Sequence, residues 1–216
     1  MLGRKLASLE SIGGGRNSRV YKLTADKSET FAAKFYFRHA LDERDRLGVE
    51  FSSLNFLWEN GVRCVPRPVV SDAAENFAVY EFIEGGAISA ADLRNQDAID
   101  AARFLLKLHG LKSAAAGKNI LPASASCFSF ADHVTAIDRR FCRLTGSDLP
   151  NSSVLDDFLS NDFIPSFKKI VDWSKSAAQA AGFSFEEALR VEERTLSPSD
   201  FGFHNALLAK NGMIFM

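Results

Sequence analysis

The sequence predicts an α+β fold in two lobes, a small antiparallel β N-lobe with one main helix over residues 1–84 and a mostly helical C-lobe over residues 85–216. Three observations carry this. Short alternating apolar runs separated by turn residues fill the first eighty positions. A glycine pair, Gly85-Gly86, then breaks the pattern, and beyond it apolar residues recur at helical spacing.

The strands come first. Leu6–Ile12, Ser18–Thr24 and Thr30–Phe37 are β-rich, with the turn signals GGGRN and ADKSE between them, as in an antiparallel meander. A helix is expected from about Asp42 to Asn60, with Gly61 at its C-terminal cap and Leu47, Phe51, Leu54, Leu57 and Trp58 along its apolar stripe. Two further strands, Arg67–Ser71 and Phe77–Phe82, flank the turn DAAEN, and Glu84-Gly85-Gly86 reads as a linker. In the C-lobe, Asp97–Leu111 presents Ala98, Ala101, Leu105 and Leu108 on one face. Ser129–Leu144 and Val154–Ser160 read as further helices, and Pro165 fits the first turn of another that runs to about Ala181. Short β-like runs return in Arg194–Ser197, Ala206–Ala209 and Met213–Met216.

Composition narrows the class. Hydrophobic residues make up 46% and charged residues 25%, which excludes whole-chain disorder, a collagen-like fibre or a coiled-coil array. The 26 basic and 27 acidic residues leave a net charge of -1, so the overall charge makes no case for nucleic acid. No apolar run approaches the roughly 18 residues of a membrane span, and the N-terminus lacks the apolar core of a signal peptide. Three cysteines without a CxxC suit reduced thiols. Together these features point to a cytoplasmic chain with no membrane partner. The final Gly212–Met216 run reads as a strand with no closing turn, so the natural chain is expected to continue.

Three constellations could carry chemistry. The turn Ser11–Ser18 is rich in glycine, and a backbone without Cβ atoms lets N–H groups approach phosphate oxygens. It is neither a Walker A loop nor a GxGxxG, and a flexible hairpin turn would use the same residues. Lys34 interrupts the apolar strand Thr30–Phe37; it either faces solvent or needs a carboxylate or phosphate beside it. Glu50 lies on the apolar side of its helix, at helical spacing from Leu47, Leu54 and Leu57, and Lys34 is the nearest cation for it in the sequence. A strand lysine held by a helix glutamate is the device kinases use to orient ATP phosphates. Finally, Asp200 and Asn205 sit five apart in a loop between β-like runs, where an aspartate can take the proton of an attacking hydroxyl and an asparagine oxygen can ligate Mg²⁺. An Asx-type turn would also use them.

The order of these parts resembles the aminoglycoside phosphotransferase and choline kinase family, which has a protein-kinase-like fold. Gly13–Leu23 is similar to the family's nucleotide loop, Tyr80–Gly86 to its hinge, and Leu105–Gly110 to its helix ending in Leu-His. The resemblance implies an ATP- and Mg²⁺-dependent transfer of the γ-phosphoryl group to a small-molecule hydroxyl. It implies Asp200 as catalytic base and Asn205 as metal ligand. Lys34 and Glu50 would position the α/β-phosphates, with Gly14, Gly15, Asn17 and Ser18 in the phosphate loop and backbone groups around Glu81 and Ile83 meeting adenine.

Two departures stand out. Pro198-Ser199 occupy the places of the family's usual His-Gly, and the sequence ends where the family has a second metal-binding Asp. A non-catalytic nucleotide-binding pseudokinase or interaction module is therefore the alternative. The region Ser129–Ala181, with Asp148, Asp156, Asp157 and Asp162, would border the acceptor pocket and favour a cationic acceptor, unless it is simply a solvated acidic face. His39, His109, His133 and His204 lack metal-ligand spacing. A Ser199/His204/Asp200 triad is disfavoured because neighbours in one loop seldom reach the required geometry.

Overall fold

A computed structural model describes residues 5–15, 17–38, 44–116, 118, 120–123, 125–145, 153–198 and 200–216. Asp42, where the first helix was expected to start, and Arg16, His39, Asp148 and Ser199 lie outside the described residues. The chain forms two compact units, Met1–Ser124 with Thr195–Met216, and Ala125–Arg194.

The first unit is built on a five-stranded antiparallel sheet of β1 (Leu6–Gly14), β2 (Ser18–Ala25), β3 (Thr30–Tyr36), β4 (Pro68–Asp72) and β5 (Phe77–Glu81), in the order β1-β2-β3-β5-β4. Helix α1 (Arg46–Glu59) follows β3, and Gly61 beyond it has φ +74°, the left-handed conformation of a helix-terminating glycine. It starts with Asp45 as N-cap, whose carboxylate accepts from Gly48 N–H at 2.7 Å. Tyr36, Leu47, Ala78 and Tyr80 form a buried cluster between α1 and the sheet, with Ala32, Phe51 and Leu54 packed against it. Side chains alternate along a strand, so Lys34 shares the face of Ala32 and Tyr36 and looks toward α1.

The Gly85-Gly86 segment is more than a linker. Residues Gly85–Ala87 form β6, which pairs with β7 (Ala206–Ala209); β8 (Gly212–Phe215) completes this second, three-stranded antiparallel sheet. Arg194–Ser197, in contrast, is not a strand: it finds no ladder partner and runs as irregular chain.

Helix α2 (Asn95–Gly110) buries Asp97, Ala101, Phe104 and Leu108. Ala98 and Leu105, expected inward, are exposed. Phe104 decides the rotation: its ring stacks on Phe215 at 4.6 Å and 10° and lies 5.9 Å from Phe201. These residues belong to the main core, with Phe56, Leu57, Val62, Val65, Leu108, Ala206 and Met213. The short helix α3 (Lys112–Ala116) follows.

The second unit is helical. It holds α4 (Phe130–Thr145), α5 (Ser153–Phe158), a π-helical stretch Leu159–Phe163 and α6 (Ile164–Ala180), with Pro165 in the first turn of α6 as expected. Phe141, Phe163 and Phe167 stack in sequence inside it. Asp156, Asp157 and Asp162 are exposed there. An antiparallel N-terminal sheet with one main helix, followed by helices, makes the chain α+β, as expected.

Candidate active site

Lys34 and Glu50 meet. Lys34 Nζ donates to both carboxylate oxygens, at 2.9 Å to Oε1 and 2.7 Å to Oε2. The pair is half-buried, with 29% and 34% of the two side chains exposed. It arises from period matching: the strand alternation that buries Tyr36 aims Lys34 at α1, and the helical stripe that buries Leu47 and Leu57 carries Glu50 on the facing side. Beside it the phenols of Tyr36 and Tyr80 hydrogen-bond at 2.8 Å, fully buried, and Lys34 Nζ lies 5.3 Å from the centre of the Tyr36 ring. Burial pushes both phenol pKa values well above the ordinary tyrosine value, and the Glu50 charge pushes in the same direction. Sequence reasoning missed the pairing of these tyrosines, although Tyr36 lies two positions from Lys34 on the same strand face.

The glycine-rich turn adjoins the same strands. Gly15 N–H donates to Ser18 C=O at 2.9 Å, and Phe37 N–H to Asn17 C=O at 2.9 Å, tying the turn to the end of β3. Ser18 pairs with Tyr36, and Val20 with Lys34, so the turn opens just beyond the lysine. The space above Gly13 and Gly15 is open: a Cβ at either would meet nothing within 4 Å.

The Asp200–Asn205 segment is a tight loop in the same compact unit. A 3₁₀ turn, Phe203–Asn205, closes it, and Asn205 N–H donates to Gly202 C=O at 3.0 Å. Asn205 Nδ2 donates to the Asp200 backbone carbonyl at 2.8 Å, and Met216 N–H donates to Asn205 C=O at 2.8 Å. The asparagine therefore does close the loop, as an Asx-type role requires, while its side-chain oxygen has no partner among the described residues. Phe201 anchors the loop against Phe104 and Phe215. The Asp200 carboxylate is 80% exposed, and His204 Nε2 lies 3.3 Å from its Oδ1. That contact was not expected, although a spacing of four residues could have suggested it.

Mg²⁺ prefers oxygen donors and usually keeps only one or two protein ligands beside phosphate oxygens and water. Asn205 Oδ1 offers that chemistry. Among the described residues no group of three or more His, Cys, Asp or Glu could hold a metal.

Glu81 and Ile83 border a hollow of about 570 Å³ between the 81–84 segment, Arg63, Cys64 and the β7–β8 turn. Lys34, Glu50, Asp200 and Asn205 do not line it. Glu81 N–H is bonded to Arg67 C=O at 2.8 Å, whereas the Ile83 backbone has no partner among the described residues. Burial raises the Cys64 thiol pKa, which makes it a poor nucleophile.

A model of the phosphotransferase enzyme family matches residues 8–147, about two thirds of the chain. The chain belongs to that family. The matched span takes in Lys34, Glu50 and the 81–83 segment and stops short of Asp200. No curated protein matches the chain. Among solved structures, the chain is similar to the Rio2 kinase-ADP/Mg²⁺-phosphoaspartate complex from Chaetomium thermophilum, at 20% identity and a TM-score of 0.39. That match covers 50% of this chain and 37% of the other. Among the described residues no helix is long and apolar enough to cross a membrane.

Proposed function

We propose that the chain is an ATP-dependent phosphotransferase that moves the γ-phosphoryl group to a hydroxyl of a small molecule such as an aminoglycoside, a choline-like amine or a sugar. The observation that carries this reading is the Lys34–Glu50 ion pair in a member of a phosphotransferase family.

Residues 1–84 are the nucleotide-binding lobe in this reading, and residues 85–216 supply the catalytic loop. Glu50 fixes the Lys34 ammonium, which then binds α/β-phosphate oxygens as a charged donor. Backbone N–H groups at Gly14 and Gly15, with Asn17 and Ser18, line the phosphates, while the backbone at Glu81 and Ile83 meets the adenine edge. Asn205 Oδ1 is the ligand for Mg²⁺, which when bound offsets phosphate charge.

Asp200 is the base. The acceptor's hydroxyl proton passes to the Asp200 carboxylate as its oxygen bonds to Pγ, and the bond from Pγ to the bridging oxygen breaks with its electrons leaving on ADP. General-base assistance of this kind is typically worth ~10²–10⁴-fold in rate. The partners in this reading are small molecules in the cytoplasm, not nucleic acid or membrane.

ADP release from MgATP, with an aminoglycoside and choline as acceptor probes, tests the assignment. Asp200→Ala should abolish release while MgATP still raises the melting temperature. Full release by Asp200→Ala would overturn it.

A further inference from the structure

The Asp200 carboxylate is 80% exposed, so packing does not fix its direction, yet a base must be aimed at the proton it takes. Its backbone carbonyl is held by Asn205 Nδ2. Its side chain has a different neighbour, His204, whose Nε2 lies 3.3 Å from Oδ1. A carboxylate only accepts, so the contact requires a proton on Nε2.

Gly202 explains how the imidazole reaches that place. A Cβ built on Gly202 would lie 2.6 Å from both Cε1 and Nδ1 of the His204 ring, far inside contact distance. Gly202 has φ -179°, extended backbone that any residue adopts, so the backbone there does not demand glycine. The seat for the ring does. On either side of the glycine, Phe201 and Phe203 pack against the main core and hold the turn, so the ring and the carboxylate are presented from one anchored segment.

We propose that His204 is a positioning residue for Asp200: seated on Gly202, it donates Nε2–H to Oδ1 and leaves Oδ2 for the acceptor hydroxyl. This rests on the reading of Asp200 as base. An exposed pair of this kind adds little stability, so its effect belongs to the geometry of the base and not to folding.

Side-chain ¹⁵N NMR of the full chain at a pH where the imidazole is neutral tests the contact without any turnover. The His204 signal is assigned by its loss in His204→Gln. It should report the Nε2–H tautomer and should move in both Asp200→Ala and Gly202→Ala. A His204 signal unmoved in both variants would overturn the proposal. In the ADP-release assay, His204→Ala and Gly202→Ala should each lower kcat on the order of 10- to 100-fold, with KM for MgATP unchanged and partial recovery in His204→Gln. Turnover lost in Asp200→Ala but intact in both of those variants would overturn the positioning role and leave the base assignment standing. Turnover that persists in Asp200→Ala would instead overturn the base assignment.

Discussion

The ammonium of Lys34 bridges both oxygens of the Glu50 carboxylate, at 2.9 and 2.7 Å, across the contact between a β-strand and the helix that follows it. With roughly a third of each side chain exposed, solvent screens the pair, and its contribution to stability is expected to stay below about 1 kcal/mol. In the proposed function its value is orientation. Glu50→Gln should leave the urea midpoint almost unchanged yet weaken MgATP binding by roughly 10- to 100-fold, the scale of a lost charge-assisted contact of ~1.5–3 kcal/mol. Isothermal titration calorimetry on the two proteins reads this directly.

The buried Tyr36–Tyr80 pair predicts an alkaline limb in stability. Both phenols have folded-state pKa values raised by burial first and by the Glu50 charge second. Their contribution is fully present below the unfolded value near pH 10. It is lost as pH rises further, because the unfolded chain releases protons that the folded chain retains. Denaturant midpoints measured from pH 8 to 11 should fall above about pH 10. Tyr36→Phe should flatten that fall and cost about 1 kcal/mol near neutrality for the lost hydrogen bond.

Asp97 predicts the opposite limb. Its carboxylate accepts from the Arg94 guanidinium at 2.8 and 3.1 Å and from the Arg94 backbone N–H at 2.8 Å, and these bonds hold its pKa below the ordinary aspartate value. The stability it lends to the start of α2 is present above about pH 4 and is lost as pH falls through the lower folded value. Asp97→Asn should remove that part of the acid dependence, as read from urea midpoints between pH 3 and 6.

Phe104 is the test of the core. It stacks on Phe215 and touches Phe201, so it joins α2 to β8 and to the loop that carries Asp200. Phe104→Ala should cost about 3–5 kcal/mol, seen as a lower midpoint in equilibrium urea unfolding. Leu105→Ala, at an exposed position on the same helix, should change it by less than about 0.5 kcal/mol.

Much of the candidate site was legible in the sequence. A lysine interrupting an apolar strand and a glutamate inside an apolar helical stripe each need a partner, and together they identify one another. The Asp200–Asn205 spacing likewise marked a closed loop. The inward face of α2 was less legible, because Ala98, Ala101 and Leu105 form as good a stripe as Ala101, Phe104 and Leu108. Only the stacking of Phe104 on Phe215, more than a hundred residues away, selects between them. Arg194–Ser197 misled for the complementary reason: β-like composition makes a strand only where a ladder partner exists. His204 carried no spacing typical of a ligand, and its contact with Asp200 depends on an absent side chain at Gly202.

The most direct test of the account is the thermal stabilisation of the chain by MgATP, compared between the parent and Lys34→Ala. Binding to the folded state raises its stability by RT ln(1 + [L]/Kd). A clear, concentration-dependent rise in melting temperature is expected for the parent and is lost or sharply reduced in Lys34→Ala. No shift in the parent, or an equal shift in both proteins, would contradict it.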